Sequence, residues 1–520
     1  MKMKSRIIAQ MLPGLWPHIT LQRRLQLMIL LLLMLLTSII EVVGIGALMP
    51  FLAILSSPDT VTKSPVIVEI LGYLNIKSKV DLLFLLTLTF LLATLLSGLM
   101  RVLLIWVSSK TAFEIGADIC DKLFLNSLQQ SYIFHLSTNS SNLISTISSE
   151  TNLVIYNVII PILTLATSCF LLVFISCAMI FINPFVALNA VIGFGVIYIF
   201  VGLLARSRLK KNGEIISKNS AHCIKALQEG LGGVRDVLVG GTQNTFVKIF
   251  QTADYKLRRA QGINLFIAQS PRYITETLGM TLVILLAYIL AIKSDEIDDG
   301  IIPTLGFLAL AAQRLLPALQ QGYVAWTNLV ASADPLHKVV NLLNANINKS
   351  CDIHPPALLP FTNLIELKNV SFTYPQQKSS AISNISLSIN KGERVGFIGS
   401  SGSGKSTLMD IILGLLEPTS GGIYIDGVLV NEVSRGGWQL NVANVSQSIY
   451  LSDSSIEENI AFGFPVEKID RNQVYAAAHA AHLSSVIEAL PQKYLTPVGE
   501  RGVRFSGGAT STNRHSSSLI

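Results

Sequence analysis

Long apolar runs separated by polar segments dominate roughly the first two thirds of the 520-residue chain. A helix needs about 20 residues to cross about 30 Å of hydrocarbon, because each residue adds about 1.5 Å of length. Six runs reach or approach this length, at 25–54, 82–107, 155–182, 185–205, 274–292 and 301–330. The pattern therefore predicts an α-helical membrane domain of six spans over residues 1–340.

The pattern changes after the last of these runs. Residues 341–360 are polar and contain prolines, which is typical of a linker. Beyond them, "LIELKNVSFTY" and "AISNISLSI" alternate apolar and polar residues, as half-buried strands do. Residues 361–520 are therefore predicted to form a soluble α/β domain.

Charge supports a membrane protein and predicts its orientation. The net charge is +7, but the chain has no basic stripe interleaved with aromatic residues, so a nucleic-acid partner is not expected. Basic residues instead cluster in 206–272, whereas the segment between the fifth and sixth runs, "KSDEIDDG", is acidic. Because cytoplasmic loops are enriched in lysine and arginine, 108–154, 206–272 and both termini are predicted to be cytoplasmic.

A glycine-rich segment, "RVGFIGSSGSGKSTLMDIILGLL", carries the clearest candidate chemistry. It predicts a strand ending at Ile398, a phosphate-binding turn and then a helix, an order that a chance glycine-serine loop does not explain. Backbone N–H groups of such a turn surround a phosphate, its lysine neutralises phosphate oxygens, and the following serine ligates Mg²⁺. The predicted nucleotide-binding residues are Gly399, Ser400, Ser401, Gly402, Ser403, Gly404, Lys405, Ser406 and Thr407, with Ser406 as a Mg²⁺ ligand.

The flanking segments resemble the ATPase domain of ABC transporters. Tyr374 in "VSFTYP" matches the aromatic residue that stacks on adenine in that family, and Gln447 in "NVSQSIYL" matches the glutamine that reaches Mg²⁺ and the attacking water. The segments "SIEENIAFG" and "TPVGERG" are similar to those that precede the family signature. That signature then begins at "FSGG", where Ser506, Gly507 and Gly508 would bind the γ-phosphate held by an opposite subunit. Alone, Tyr374 or Gln447 would be an ordinary residue, but their order and spacing support the resemblance.

The resemblance covers essentially the whole chain and implies an exporter-type half-transporter. Such a protein works as a homodimer, uses ATP and Mg²⁺, and converts its spans from inward- to outward-facing. The segments "EVVGIGALMPFLAIL" and "QRLLPALQQ" are similar to lipid-linked oligosaccharide flippases, which implies a lipid or lipid-linked glycan as cargo and a bacterial inner membrane location. A peptide or multidrug exporter is the alternative within transport.

The charged residues inside predicted spans include Glu41, Arg101 and Arg314. Charges in hydrocarbon are costly, so they are candidates for a polar cargo path in which arginines meet a phosphate or another anion. The alternatives are an ion pair between helices or arginines that extend to the membrane interface.

The last residues depart from the family pattern. After "SGG" the family continues with a sequence such as "QRQRIGIARALY", then an aspartate-glutamate pair and a histidine, so no catalytic residue is identified in this chain. Inserting one G into a GGG codon at Gly508, in one possible coding string for that sequence, gives "GATSTNRHSSSLI", which is residues 508–520. The sequence is therefore compatible with a frameshift that truncates the ATPase domain and leaves an inactive product. A divergent C-terminal tail is the alternative.

Overall fold

The computed structural model describes residues 13–48, 51, 79–182, 184–293, 301–345, 357–375, 377, 379–446 and 450–499. The chain forms two compact units. The first contains Met1–Gln130 and Phe134–Ile347, and the second contains Ser131–Ile133 and Asn348–Ile520. The division between residues 347 and 348 lies inside the predicted linker.

Helices make up the first unit. They follow a short 3₁₀ turn, Trp16–His18, and two π-helical turns, Thr146–Glu150 and Ile155–Ile159, interrupt one of the long helices. The helices are α1 (Leu21–Gly46), α2 (Lys79–Leu128), α3 (Tyr132–Ser137), α4 (Ser140–Ser145), α5 (Thr151–Val154), α6 (Ile160–Ile182), α7 (Pro184–Gly232), α8 (Val234–Val239), α9 (Gln243–Lys293), α10 (Ile301–Ala331) and α11 (Ala333–Leu343).

Three helical segments are long and apolar enough to cross a membrane by length and composition: Leu21–Gly46, Leu83–Leu128 and Ser140–Phe181. They contain or overlap the first three predicted spans. The other three predicted spans lie within α7, α9 and α10. The number of six membrane spans therefore stays a prediction. The long apolar helices nevertheless indicate that the first unit is embedded in a membrane.

A buried ion pair ties α11 to the helices beside it. Glu150, at the end of the first π-helical turn, has a side chain that is only 2% exposed. Its Oε1 accepts a hydrogen bond of 2.6 Å from Ser217 of α7 and another of 3.0 Å from Lys338 of α11. Because an unpaired buried carboxylate is costly, this contact fixes the three segments against one another.

The second unit contains a four-stranded antiparallel sheet of strand order β2-β1-β3-β4. Its strands are β1 (Leu364–Phe372), β2 (Ile382–Asn390), β3 (Ser420–Ile425) and β4 (Val428–Leu429). The strands predicted in "LIELKNVSFTY" and "AISNISLSI" are β1 and β2, which pair in the register Leu364↔Asn390 to Phe372↔Ile382. Apolar residues of this sheet and of helix α12 (Lys405–Ile412) form one buried core.

Further helices follow the sheet along the chain. They are α13 (Arg435–Gln439), α14 (Ile456–Ile460), α15 (Arg471–Ala480) and α16 (Ser484–Glu488), with 3₁₀ turns at Val466–Lys468 and Lys493–Leu495. The last three helices enclose a second apolar cluster that includes Ile456, Val474, Ala478 and Ile487.

The strand predicted to end at Ile398 is not formed. Residues 393–400 have no regular secondary structure, and the side chain of Ile398 is fully exposed. A strand of a parallel sheet is normally buried between hydrogen-bonded neighbours. Among the described residues, no strand lies beside 393–400, so the apolar run has no partner to pair with.

Candidate functional site

The glycine-rich turn adopts a conformation that requires glycine. Gly402 and Gly404 have φ angles of 81° and 87°, in the left-handed region that residues with a Cβ rarely occupy. A Cβ on Gly404 would also lie 2.6 Å from the carbonyl oxygen of Ala381. Helix α12 begins immediately afterwards at Lys405, as the sequence predicts.

Lys405 folds back over this turn. Its Nζ donates hydrogen bonds of 2.8 and 2.7 Å to the carbonyl oxygens of Gly399 and Ser400, and lies 3.3 Å from Ser403 Oγ. No side chain caps the start of α12, so the N–H groups of its first turn stay available to an anion. The ammonium group of Lys405 and the open helix-terminal N–H groups together fit the phosphates of a nucleotide.

Tyr374 lies against the same helix. Its hydroxyl is 3.1 Å from Thr407 Oγ1, and its ring makes an edge contact with Phe372 at a centroid distance of 4.9 Å. The structure therefore brings one flanking residue of the predicted site to the phosphate-binding turn. Ser406 occupies the first turn of α12, where a Mg²⁺ ligand is expected. Gln447, Ser506, Gly507 and Gly508 lie outside the described residues.

Glu41, Arg101 and Arg314 come together in the first unit. Arg101 Nη2 of α2 donates a hydrogen bond to Glu41 Oε1 of α1, and Arg314 Nη1 of α10 lies 3.8 Å from the same oxygen. The side chain of Glu41 is 7% exposed, whereas those of Arg101 and Arg314 are 34% and 38% exposed. We call these three residues the charged cluster.

The charged cluster contains an ion pair between helices, one of the alternatives that the sequence leaves open. Glu41 and Arg101 form an ion pair between helices, but one carboxylate faces two guanidinium groups, so the cluster has a net positive charge. Within the described part of the chain, Nε of Arg101 is also buried without a hydrogen-bond partner. An anion would satisfy both the excess charge and the unused donor.

Sequence patterns did not predict a cavity of about 500 Å³ in the first unit. Helices α7, α9 and α10 contribute most of its lining, and the second π-helical turn adds Asn157. Its polar lining is mostly carboxamide, from Asn157, Gln261, Asn264, Gln269, Gln320 and Asn328, with one guanidinium, Arg272. In α9 these side chains recur every three to five residues, a helical-face signal that was available in "QGINLFIAQSPR".

Comparisons with known proteins agree with this architecture. Residues 25–310 match the family model "ABC transporter transmembrane region", and residues 382–513 match the model "ABC transporter". The chain resembles a bacterial Atm1-family ABC exporter solved with ATP bound, with a TM-score of 0.75 and 19% identity over 95% of this chain and 83% of that one. At 19% identity, this structural similarity indicates the fold alone.

Curated relatives include an ATP-dependent lipid A-core flippase of Haemophilus influenzae. It is 29% identical over 309 residues, which are 56% of this chain and 51% of the flippase. A putative multidrug export ATP-binding/permease protein of Bacillus subtilis is 39% identical over 144 residues, 28% of this chain and 24% of that protein. The chain thus spans about half the length of the first of these relatives.

A helical unit with membrane-length apolar segments, followed by a unit with a phosphate-binding turn, defines a membrane protein built around a nucleotide-binding domain. The family-model matches identify which class of membrane protein this is. The model of the transmembrane region alone covers residues 25–310, more than half of the chain. The chain belongs to the ABC transporter family, and its domain arrangement is that of an exporter-type half-transporter.

Proposed function

We propose that this protein is an ATP-driven ABC exporter of the flippase type, which moves a lipid or lipid-linked glycan across the membrane. The charged cluster carries the proposal. Two arginines facing one carboxylate inside predicted spans give a net positive site, and a phosphate-bearing lipid supplies the missing negative charge. Similarity to a lipid A-core flippase supports the same class of cargo.

The carboxamide-lined cavity supports a glycan as part of the cargo. A carboxamide both donates and accepts hydrogen bonds, as sugar hydroxyl groups do, and six of them line this cavity. Arg272 adds a donor for an anionic group. A peptide or multidrug exporter is the second candidate, favoured by the similarity to the Bacillus subtilis multidrug export protein.

ATP would drive transport at the interface of a homodimer. In each copy, Tyr374 would stack on adenine and Lys405 would hold the phosphates, while Ser506, Gly507 and Gly508 of the other copy would close over the γ-phosphate. Ser406 and Gln447 would hold Mg²⁺, which neutralises phosphate charge when bound. Placement of Tyr374 beside the phosphate-binding turn is consistent with this arrangement.

The proposed location is the bacterial inner membrane, with six spans and both termini in the cytoplasm. The basic segment 206–272 then faces inward and the acidic segment 293–299 faces outward. In a variant without the native cysteines, a membrane-impermeant thiol reagent is expected to label a cysteine introduced at Asp298 from outside, and one introduced at the exposed Lys225 only after the membrane is opened. The reverse pattern of labelling would contradict the topology.

The cargo proposal is tested by Arg314→Ala in the purified protein. This change removes the excess positive charge but leaves the pair of Glu41 and Arg101 intact. Transport of a fluorescent anionic lipid across proteoliposomes is expected to fall about tenfold or more, because a hydrogen bond to a charged group contributes about 1.5–3 kcal/mol. Basal ATP hydrolysis should stay within about twofold of the parent.

Arg235→Ala is the matched control, because Arg235 is an exposed arginine of α8 outside the predicted spans. It should leave lipid transport unchanged. Unchanged lipid transport in Arg314→Ala would mean that Arg314 extends to the interface and does not meet the cargo. Loss of peptide or drug transport with lipid transport unaffected would favour the second candidate.

A further inference from the structure

The connection between β1 and β2 lies against the start of α12 at two points. Near its end, Ala381 comes so close that a Cβ on Gly404 would lie 2.6 Å from the Ala381 carbonyl oxygen. Near its beginning, the hydroxyl of Tyr374 lies 3.1 Å from Oγ1 of Thr407. Ala381 is also tied to β1, because its N–H donates a 2.9 Å hydrogen bond to the carbonyl oxygen of Phe372. The connection therefore holds Tyr374 at the phosphate-binding turn.

The backbone on both sides of Tyr374 is fixed as well. The N–H of Thr373 donates a 3.1 Å hydrogen bond to Oγ1 of Thr419. The carbonyl oxygen of Tyr374 accepts a 2.9 Å hydrogen bond from the N–H of Gln377, which closes a turn. Pro375 occupies the second position of this turn, where its restricted φ angle favours the conformation. The orientation of the Tyr374 ring then depends on its side-chain contacts.

Two such contacts fix the ring of Tyr374. The ring meets that of Phe372 in an edge-to-face arrangement, at a centroid distance of 4.9 Å and an interplanar angle of 87°. Its hydroxyl meets Thr407, which is only 8% exposed and packed within α12. Because one contact holds the ring and the other holds its far end, together they restrict both side-chain torsions of Tyr374.

The hydroxyl of Thr407 serves this contact and not its own helix. Threonine in a helix commonly donates a hydrogen bond to a carbonyl oxygen three or four residues earlier, as Thr37 does to Leu33. Among the described residues, Thr407 makes no such bond, and its hydroxyl has that of Tyr374 as its partner. The hydroxyl therefore links the first turn of α12 to the ring of Tyr374.

We propose that Thr407 is a positioning residue for the adenine end of ATP, because its hydroxyl holds the ring of Tyr374 in the orientation that stacks on the base. The inference rests on the proposed function, in which Tyr374 meets adenine, and adds a residue that acts through Tyr374. A ring that is already fixed loses less conformational freedom when the base binds. Thr407 follows Lys405 by two residues, so one turn of α12 would serve both ends of the nucleotide.

Affinities for ATP and for inorganic tripolyphosphate separate the two ends of the nucleotide. Both are measured on the purified protein without Mg²⁺, by displacement of a fluorescent ATP analogue. The ratio of the ATP affinity to the tripolyphosphate affinity cancels any effect of a substitution on phosphate binding. Thr407→Val removes the hydroxyl and keeps the branched shape. It is expected to lower this ratio about three- to tenfold, because the ring of Tyr374 must then be ordered on binding.

Tyr374→Phe removes the same hydrogen bond from the other side and keeps the ring, so it should lower the ratio by a similar factor. The double variant of Thr407→Val and Tyr374→Phe should fall no further than either single variant, because both changes remove one interaction. Thr407→Ser keeps a hydroxyl and should stay close to the parent. The matched control is Tyr475→Phe in α15, whose ring packs on Tyr494 at a centroid distance of 4.5 Å; its ratio should equal that of the parent.

Tyr374→Leu distinguishes failure of this inference from failure of the proposed function, because it removes the ring. An unchanged ratio in Tyr374→Leu would mean that Tyr374 does not meet adenine, and the stacking role and the positioning role would fail together. A lower ratio in Tyr374→Leu, with unchanged ratios in Thr407→Val and Tyr374→Phe, would overturn the positioning role alone.

Two other results also overturn the positioning role. An equal loss of ATP and tripolyphosphate affinity in Thr407→Val would assign the hydroxyl to the phosphates. A higher ratio in that variant would mean that the hydrogen bond holds Tyr374 away from the base. Should Thr407→Val not be recovered folded, Tyr374→Phe decides, and an unchanged ratio in that variant refutes the proposal.

Discussion

Replacing Lys405 by alanine is expected to reduce ATP hydrolysis by the purified protein by about 10²- to 10³-fold, the cost of removing one preorganised donor from developing charge. Two physical effects combine. The ammonium group that neutralises phosphate oxygens is lost, and so are its hydrogen bonds to the carbonyl oxygens of Gly399 and Ser400, which hold the turn in shape. Release of inorganic phosphate from ATP by the purified protein measures the effect.

Nucleotide affinity gives a second measure of the role of Lys405 that does not depend on ATP hydrolysis. A fluorescent ATP analogue should bind the 520-residue Lys405→Ala variant far more weakly than the parent. The matched control is Lys468→Ala, because Lys468 is an exposed lysine in the 3₁₀ turn Val466–Lys468. Equal affinities of the Lys405→Ala variant and the parent would mean that the glycine-rich turn is not the nucleotide site.

Local sequence patterns predicted the elements whose partners are close along the chain. Strands β1 and β2 pair with each other across a short connection, and α12 follows directly from the glycine-rich turn, so periodicity and turn residues were sufficient. The prediction of a strand ending at Ile398 was wrong because such a strand needs partners that are distant along the chain. A buried strand depends on neighbours contributed by distant segments, and an apolar run cannot report whether those neighbours are present.

Local sequence patterns also did not predict the contacts within the charged cluster. The sequence identified Glu41, Arg101 and Arg314 as candidates because charges are rare inside apolar spans. It left an ion pair between helices as an alternative but did not predict which residues form it, because Glu41 and Arg101 are separated by 60 positions and periodicity gives a helix face without its partner. The carboxamide-lined cavity was missed because uncharged polar residues on a helix face are also typical of solvent exposure.

Replacing Glu41 by alanine is expected to destabilise the first unit by about 3 kcal/mol. The change leaves Arg101 and Arg314 beside each other with no counter-charge in a predicted membrane span. An unpaired arginine near the centre of a span costs about 2.5–3.5 kcal/mol, to which their mutual repulsion adds. The yield of monodisperse protein and its thermal unfolding midpoint in detergent measure the loss.

Ser38→Ala is the matched control for Glu41, because Ser38 is buried one turn earlier on α1 and donates only to the carbonyl oxygen of Met34 in the same helix. Its unfolding midpoint should stay near that of the parent. The double variant Glu41→Gln, Arg101→Gln removes one charge of each sign and should recover most of the stability that Glu41→Ala loses, because a single arginine remains. If Glu41→Ala unfolds at the same temperature as Ser38→Ala, the two arginines reach water or lipid headgroups, and the charged cluster does not stabilise the fold.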